Sequence, residues 1–455
     1  MTFLISGQSD NLIISQHKNN QLHKSFKSQN NKRTNCEIDN DKNKKKKAII
    51  ISTAVSVPVV TLGIIYGIKF YKKTNIYNDL PCVMQKKEFL STLKTKKREN
   101  YQKTIDNMEK GIFQLDLHSH SNHSDGYAKV EDILNQACEY GNKIYNKTGN
   151  KFIFALTDHD SVEGVDQALK IIRKNPEKFK NIRFVPGVEL SFNILDKDNK
   201  IKSGELLIHC INPNDERIRS LTSKTKNNRK IMIDKIIEEL GVGFSINELK
   251  KYFLKDNYET FAYNLHLRVH NYAQIKNRVI NMAKEQNCEP NKLFEELMQK
   301  YVFDTNGKRK IQKPNITYQG FDKYLKENKI KTITKAFDEE IENKCQKYSP
   351  KVVDGKIVES SENNFEKIIE TLKDDKNLAI GFAHPYFFAK DLVNPKETLT
   401  YMVKNSKGLI KTTEKFHMAY SNSINKSKIE EYNKILDDLN LIPLGGYDNH
   451  KVKFI

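Results

Sequence analysis

The sequence contains no tryptophan and only six cysteines among 455 residues. The missing tryptophan excludes no class of function. The cysteines (Cys36, Cys82, Cys138, Cys210, Cys288 and Cys345) are widely scattered and form no C-x-x-C pair, which excludes a cysteine-based zinc site and a thioredoxin-type motif. Their low density argues against a disulfide framework. Negative charge is also scarce: 57 Asp and Glu stand against 77 Lys and Arg, a formal +20. Residues 1–47 hold ten of the basic and four of the acidic residues, so most of the excess lies in the body of the chain. A basic body favours polyanions or an anionic membrane surface as partners, although a lysine-rich genome gives the same excess.

Charge-free runs are rare, with one exception. Residues 1–47 are rich in Asn, Lys, Gln and Ser and read as a disordered basic tail. Residues 48–68, AIIISTAVSVPVVTLGIIYGI, carry no charge over 21 positions. That is long enough for a single transmembrane helix, which needs roughly 20 apolar residues, and Pro58 would kink it without forbidding it. A buried core helix is the competing reading, but the lysines on both flanks favour the bilayer as partner. Lys42 and Lys44 to Lys47 outweigh Lys69, Lys72 and Lys73, which places the C-terminal part outside the cytoplasm.

Residues 69–110 read as a polar linker, and the folded part is expected over 111–455. Short apolar runs there end repeatedly in His, Asp or Glu, with amphipathic stretches such as Val130–Tyr140 and Val162–Arg173 between several of them. Such alternation predicts an α/β protein with a parallel sheet. Residues 213–375 break the pattern. They are charged and mostly helical in period, as in Asn228–Leu240 with Met232, Ile236, Ile237 and Leu240 on one face and Gly241 as a stop. This stretch is expected to be a helical insertion between 111–212 and 376–455, the two parts of the main domain.

The candidate chemistry lies at the ends of the apolar runs. DLHSHSNHSDG places His118 and His120 two apart, so both imidazoles reach one side of an extended chain, and Asp125 follows in a turn. ALTDHD supplies His159, PGVEL supplies Glu189, LLIHC supplies His209 and GFAHPY supplies His384. GGYDNH supplies Asp448 and His450. A single histidine after an apolar stretch is ordinarily structural. Here six of the twelve histidines sit at strand-like C-terminal ends, where core histidines have no reason to gather. In a (β/α) barrel those ends converge on one mouth.

Six imidazoles and three carboxylates without a thiolate suit Mn²⁺, Fe²⁺ or Zn²⁺, and nine ligands imply two or three ions. Clustered divalent ions attract phosphate and lower the pKa of bound water. The residues therefore point to metal-dependent phosphoester hydrolysis.

The ordered set HSHSNHSDG, TDHD, PGVE, His209, AHP and GYDNH resembles the PHP (polymerase and histidinol phosphatase) family over about residues 111–455. The resemblance implies a distorted (β/α)7 barrel with a trinuclear site. It implies one ion on His118, His120 and Asp448, with Glu189 bridging to a second on His209 and His384. A third would sit on Asp125, His159 and His450, with a bridging hydroxide as nucleophile. Asp125, His159, Glu189 and His450 are then the expected catalytic residues. The insertion, FDKYL at Phe321–Leu325 and the LIPLGGYDNH ending look like the branch of nucleoside 3′,5′-bisphosphate phosphatases and 5′-to-3′ exoribonucleases. There the insertion covers the mouth, which implies nucleotide or short RNA substrates and makes His266 and Arg268 substrate-binding candidates. The sequence departs from that branch at Tyr447, where a Ser is usual, and in its N-terminal apolar segment.

His417 is a further substrate-binding candidate and His123 a weaker metal candidate. Asp116 and Asp158 could orient neighbouring histidines. Arg229 and Lys230 read better as a solvated helix face than as a phosphate site. Two other functions fit parts of the sequence: a histidinol-phosphate-type metabolite phosphatase, and an inactive membrane-tethered module that binds nucleic acid. No obligate protein partner is implied.

Overall fold

A computed structural model describes residues 79–98, 115–260 and 265–331, most of 343–417, and 426–446 and 448–450. The expected tail and transmembrane segment, 1–47 and 48–68, lie outside the described residues. Among the described residues no helix is long and apolar enough to cross a membrane.

The barrel half runs β1 (Leu115–Asp116), α2 (Val130–Thr148), β2 (Phe152–Leu156), α3 (Glu163–Lys174), β3 (Ile182–Leu195) and β4 (Ile201–His209). A helix α1 (Lys86–Arg98) precedes them. The helical insertion comprises α4 (Glu216–Leu240), α5 (Ile246–Tyr252), α6 (Leu265–Gln286), α7 (Pro290–Val302) and α8 (Tyr318–Glu327), then a hairpin of β5 (Lys351–Val353) and β6 (Lys356–Val358). The barrel resumes with β7 (Asn363–Asn364), α9 (Phe365–Leu372), β8 (Ala379–Phe382), α10 (Pro385–Ala389) and α11 (Pro395–Asn405). It ends with β9 (Ile410–His417), α12 (Lys426–Asp438) and β10 (Ile442–Gly446).

The strands pair in the order β1-β2-β3-β4-β8-β9-β10, with β7 alongside β3. The curl nearly closes: the Leu117 amide donates to Gly445 O at 3.2 Å, and the His120 amide to Asn449 O at 3.0 Å. Residues alternate between the two faces. Phe152, Phe154 and Leu156 of β2 pack outward with helix residues such as Val165, Leu169 and Ile172 of α3, spaced to form one stripe. Ile153 and Ala155 point into the barrel with Leu117, Val185, Leu207 and Leu444.

The expectation of a parallel sheet needs one correction. β4 is antiparallel to both β3 and β8, while β1-β2-β3 and β8-β9-β10 are parallel. Only residues 196–200 join β3 to β4, and the Asp196 carboxylate accepts from the Asp198 and Lys200 amides at 2.9 Å, closing the turn. A turn this short allows only an antiparallel neighbour, because a parallel one requires a crossover of a dozen residues or more.

The expected linker is also more than a polar connection. Val83 pairs with Phe184, and α1 inserts Phe89 and Leu93 into the barrel core beside Met84 and Leu207. The charges of KKEFLSTLKTKKR hide this apolar edge. Phe89 is 1% exposed. Phe89→Ala is expected to cost about 3–5 kcal/mol of stability in denaturant unfolding, the usual result of emptying a buried aromatic site.

The insertion has its own core, with Ile236, Tyr252, Tyr272, Phe294 and Phe321 buried together. Gly241 ends α4 at φ +84°, where a side chain would be strained. α4 belongs to both cores: Ile218 and Leu221 pack with the barrel, Ile233 and Leu240 with the insertion.

Candidate metal centre

Extended backbone continues beyond β1, paired through Ser119 and Asn449 to the segment after β10. It presents His118 and His120 with ring centroids 4.9 Å apart. The Asp116 carboxylate accepts from the His118 amide at 3.3 Å and the Ser119 hydroxyl at 2.9 Å. The Asp158 carboxylate accepts from the Ser121 amide at 2.6 Å and the Ser124 hydroxyl at 2.9 Å. Both acids therefore hold the backbone of the histidine loop. His123 points away, 2.8 Å from Gln167.

Glu189, inward-facing and fully buried on β3, is the hub. Its carboxylate lies 2.9 Å from His118 Nε2, 3.3 Å from His120 Nε2, 3.1 Å from His159 Nδ1 and 2.9 Å from His384 Nε2. Asp448 Oδ1 lies 3.0 Å from His120 Nε2, and Asp125 Oδ2 lies 2.6 Å from His450 Nε2. Three sets of atoms of metal-ligand type, each within 4.8 Å of one another, result: His120, Asp125, His159 and His450; His118, His120, Glu189 and Asp448; and His159, Glu189 and Glu205. The sequence-nominated His118, His120, Asp125, His159, Glu189, His384, Asp448 and His450 thus meet at one rim.

His209 does not join them. Because β4 runs the opposite way, its C-terminal end lies low in the barrel, level with Gly187. His209 is buried there with Nε2 2.9 Å from Leu117 O and its ring 5.1 Å from Phe89. The same strand direction lifts Glu205 to the rim. Glu205 lies 3.3 Å from His159 and 3.2 Å from His384, the position assigned to His209 in the sequence.

Glu414 on β9 was also missed. Its carboxylate is 3.0 Å from His118 Nδ1 and accepts from the His384 amide at 2.6 Å. It orients one imidazole and the backbone of another, leaving His118 Nε2 to face the cluster. A Cβ on Gly446 would fall 2.6 Å from both Glu414 Oε1 and His118 Cβ, so this close approach requires glycine. Glu414→Ala is expected to weaken divalent-metal affinity about 10–100-fold, measurable by calorimetric titration.

Burial is the largest single influence on these groups, and their neighbours decide the outcome. Burial lowers His118, but Glu189, Glu414 and Asp448 outweigh it and hold its pKa well above the usual value. For His384 burial is overcome by Glu189 and Glu205, giving about 10, and for His450 by Asp125 and Asp448, giving about 9. Burial prevails at His159, pushed down to about 4. Glu205 rises to about 8 through burial and the adjacent Glu189 charge. Burial opposes ionisation of Glu189 and Asp125, yet the surrounding imidazoles hold both low.

This donor set fits divalent ions. Four carboxylates (Asp125, Glu189, Glu205 and Asp448) gather with five imidazoles in a largely buried rim, where so much negative charge requires cations or protons for balance. Nitrogen and oxygen donors without thiolate suit Mn, Fe or Zn.

Of the substrate-binding candidates, His266 on α6 lines a cavity of about 300 Å³ that also touches Glu205, Met232, Leu265 and Glu362. Arg268 is 5% exposed, and burial lowers its pKa against the pull of the nearby Asp125 carboxylate. The His417 side chain lies outside the described residues. Arg229 is fully buried in ion pairs, not on a solvated face.

No family model and no curated protein matches the chain. Similar solved structures include a candidate metal-dependent phosphoesterase from Bifidobacterium adolescentis, 16% identical, covering 74% of this chain and 87% of that one at a TM-score of 0.38. Another is an amidohydrolase from Chromobacterium violaceum with bound sulfate and no metal, 14% identical, covering 74% and 88% at a TM-score of 0.39. Likeness at this level leaves the chemistry of the chain to its own side chains.

Proposed function

We propose that the protein is a PHP-type, metal-dependent phosphoester hydrolase acting on nucleotides, such as nucleoside bisphosphates, or on the 5′ ends of short RNA. The observation that carries this reading is the gathering of five histidines and three further carboxylates around Glu189 at one barrel rim. His120, Asp125, His159 and His450 would hold one ion, and His118, His120, Glu189 and Asp448 another. His159, Glu189, Glu205 and His384 offer a further place. When bound, such ions lower the pKa of water and offset charge on phosphoryl oxygens.

The chain's own residues fit an anionic substrate with an organic leaving group. Lys255 reaches the rim from the insertion, its Nζ donating to Asp125 O at 2.7 Å, and Arg268 lies on the same side. Both add positive charge where a phosphate would approach. On the Glu205 side, the cavity offers Met232 and Leu265 as apolar walls and Ser191, Ser203 and His266 as polar ones, suited to an uncharged ring. Anchoring through residues 48–68, with this domain outside the cytoplasm, would direct the activity to external nucleotides or nucleic acid. Protease shaving of intact cells tests that placement, and protection of the domain would contradict it.

The activity is tested by incubating the full chain with Mn²⁺ and a panel of nucleoside 3′,5′-bisphosphates, mononucleotides, 5′-phosphorylated RNA and histidinol phosphate. Phosphate or nucleotide release from the nucleotide members is expected. Release from histidinol phosphate alone would replace the substrate class. No turnover with Mn²⁺, Fe²⁺ or Zn²⁺ would remove the reading.

A further inference from the structure

We propose that Arg229 is a positioning residue through which the helical insertion sets the geometry of one ion site and not of its neighbour. This inference rests on the metal-centre reading above.

Arg229 lies on α4 between the turns that pack in the barrel core and those that pack in the insertion core. It is 0% exposed. Its guanidinium joins three segments. Nη2 is 2.8 Å from Asp160 Oδ2, Nη1 donates to Glu259 O at 2.9 Å, and Nε is 3.4 Å from Glu362 Oε1.

Asp160 directly follows His159 and is fastened to β3. Its amide donates to Glu189 O at 2.8 Å, and its carboxylate accepts from the Ser191 amide at 3.1 Å and hydroxyl at 2.9 Å. Asp160 holds a left-handed backbone, φ +44°, which a non-glycine residue keeps only where its surroundings fix it. The contacts of Arg229 and Ser191 fix its carboxylate, beside the backbone bridge that pairs His159 with Glu189.

The segment that accepts from Arg229 has a second grip. In the same turn of the insertion, Lys255 Nζ donates to Asp125 O at 2.7 Å and Asn257 Nδ2 to Asn122 O at 3.1 Å. The insertion therefore holds both the Asp125 loop and, through Arg229, the His159 loop. Asp125 and His159 stand together in the set with His120 and His450, and His159 also faces Glu189 and Glu205. The neighbouring set of His118, His120, Glu189 and Asp448 is built from the segment after β1, from β3 and from the segment after β10, with Glu414 of β9 behind His118. Glu189 is itself fixed in mid-strand, paired with Leu207.

Stability alone does not account for Arg229. A buried ion pair is often matched or bettered by an apolar side chain of similar volume. An apolar side chain cannot hold three acceptors on three segments at set directions, which the rigid guanidinium fork does.

Mn²⁺ titration calorimetry of the full chain tests the proposal, comparing wild type with Arg229→Met, Arg229→Lys and His450→Ala. His450→Ala identifies the binding step of the Asp125–His159 site. Arg229→Met is expected to weaken that step about 10–100-fold and leave the step of the His118, His120, Glu189 and Asp448 site within about twofold. Arg229→Lys keeps the charge without the fork and should weaken the same step. If Arg229→Met does not fold, Arg229→Lys decides in the same terms. Unchanged steps, or both steps weakened alike as general loosening would produce, overturn the proposal while the metal centre stands. Wild type that binds none of Mn²⁺, Fe²⁺ and Zn²⁺ overturns the metal-centre reading and this inference together.

Discussion

Glu205→Gln is expected to lower phosphoester turnover about 10²–10³-fold, whereas His209→Gln leaves it within a few-fold of wild type. The contrast comes from strand direction. On β4, Glu205, Leu207 and His209 share the inward face, so only one end of the strand can meet the rim. Glu205 is at that end, with His159 and His384 at 3.3 and 3.2 Å. Glutamine keeps its shape but removes a charge that a cation there would require. His209 sits low in the barrel against Phe89 and Leu117 O, and a glutamine amide can keep that hydrogen bond. Its replacement should therefore appear as lost stability, about 1 kcal/mol, and not as lost turnover. Steady-state kinetics of the two variants with added Mn²⁺ checks both outcomes. Equal losses would return His209 to the metal site.

Loading the centre with divalent ions at pH 7 is expected to release about four protons. His118, His384 and His450 all carry raised pKa values, about 10 and about 9 for the last two, so without metal they are protonated at neutral pH. Glu205, near 8, also holds a proton. A protonated imidazole cannot donate to a metal, so each proton must leave. Affinity should therefore climb as pH rises from 6 to 9 and level off above the highest of these values. Asp125 and Glu189, held low, and His159, near 4, are already in metal-binding form at pH 7 and provide the first foothold. Titration calorimetry in buffers of different ionisation enthalpy counts the protons. Uptake without release, or affinity falling as pH rises, would contradict the charge balance described here.

Much of the rim was readable because its signals are local. His118 and His120, or Asp448 and His450, need only their own short segments to be seen. Glu205 was not readable in that way. In GELLIHC the histidine closes the apolar run, and only knowledge that the strand is reversed transfers the role to the glutamate. A signal was present: the gap LDKDNK between the two runs is too short and too polar for a helical crossover. Glu414, in KTTEKFH, has no distinguishing neighbours, since its role depends on β9 standing next to β8 and β10. Arg229 and Phe89 were hidden in charged helices, where composition suggests solvent and tertiary packing decides otherwise.

The most direct test is anomalous diffraction from crystals of the full chain soaked in Mn²⁺. Peaks are expected among His120, Asp125, His159 and His450, and among His118, His120, Glu189 and Asp448. A fully soaked crystal with no anomalous peak at either position would contradict the account.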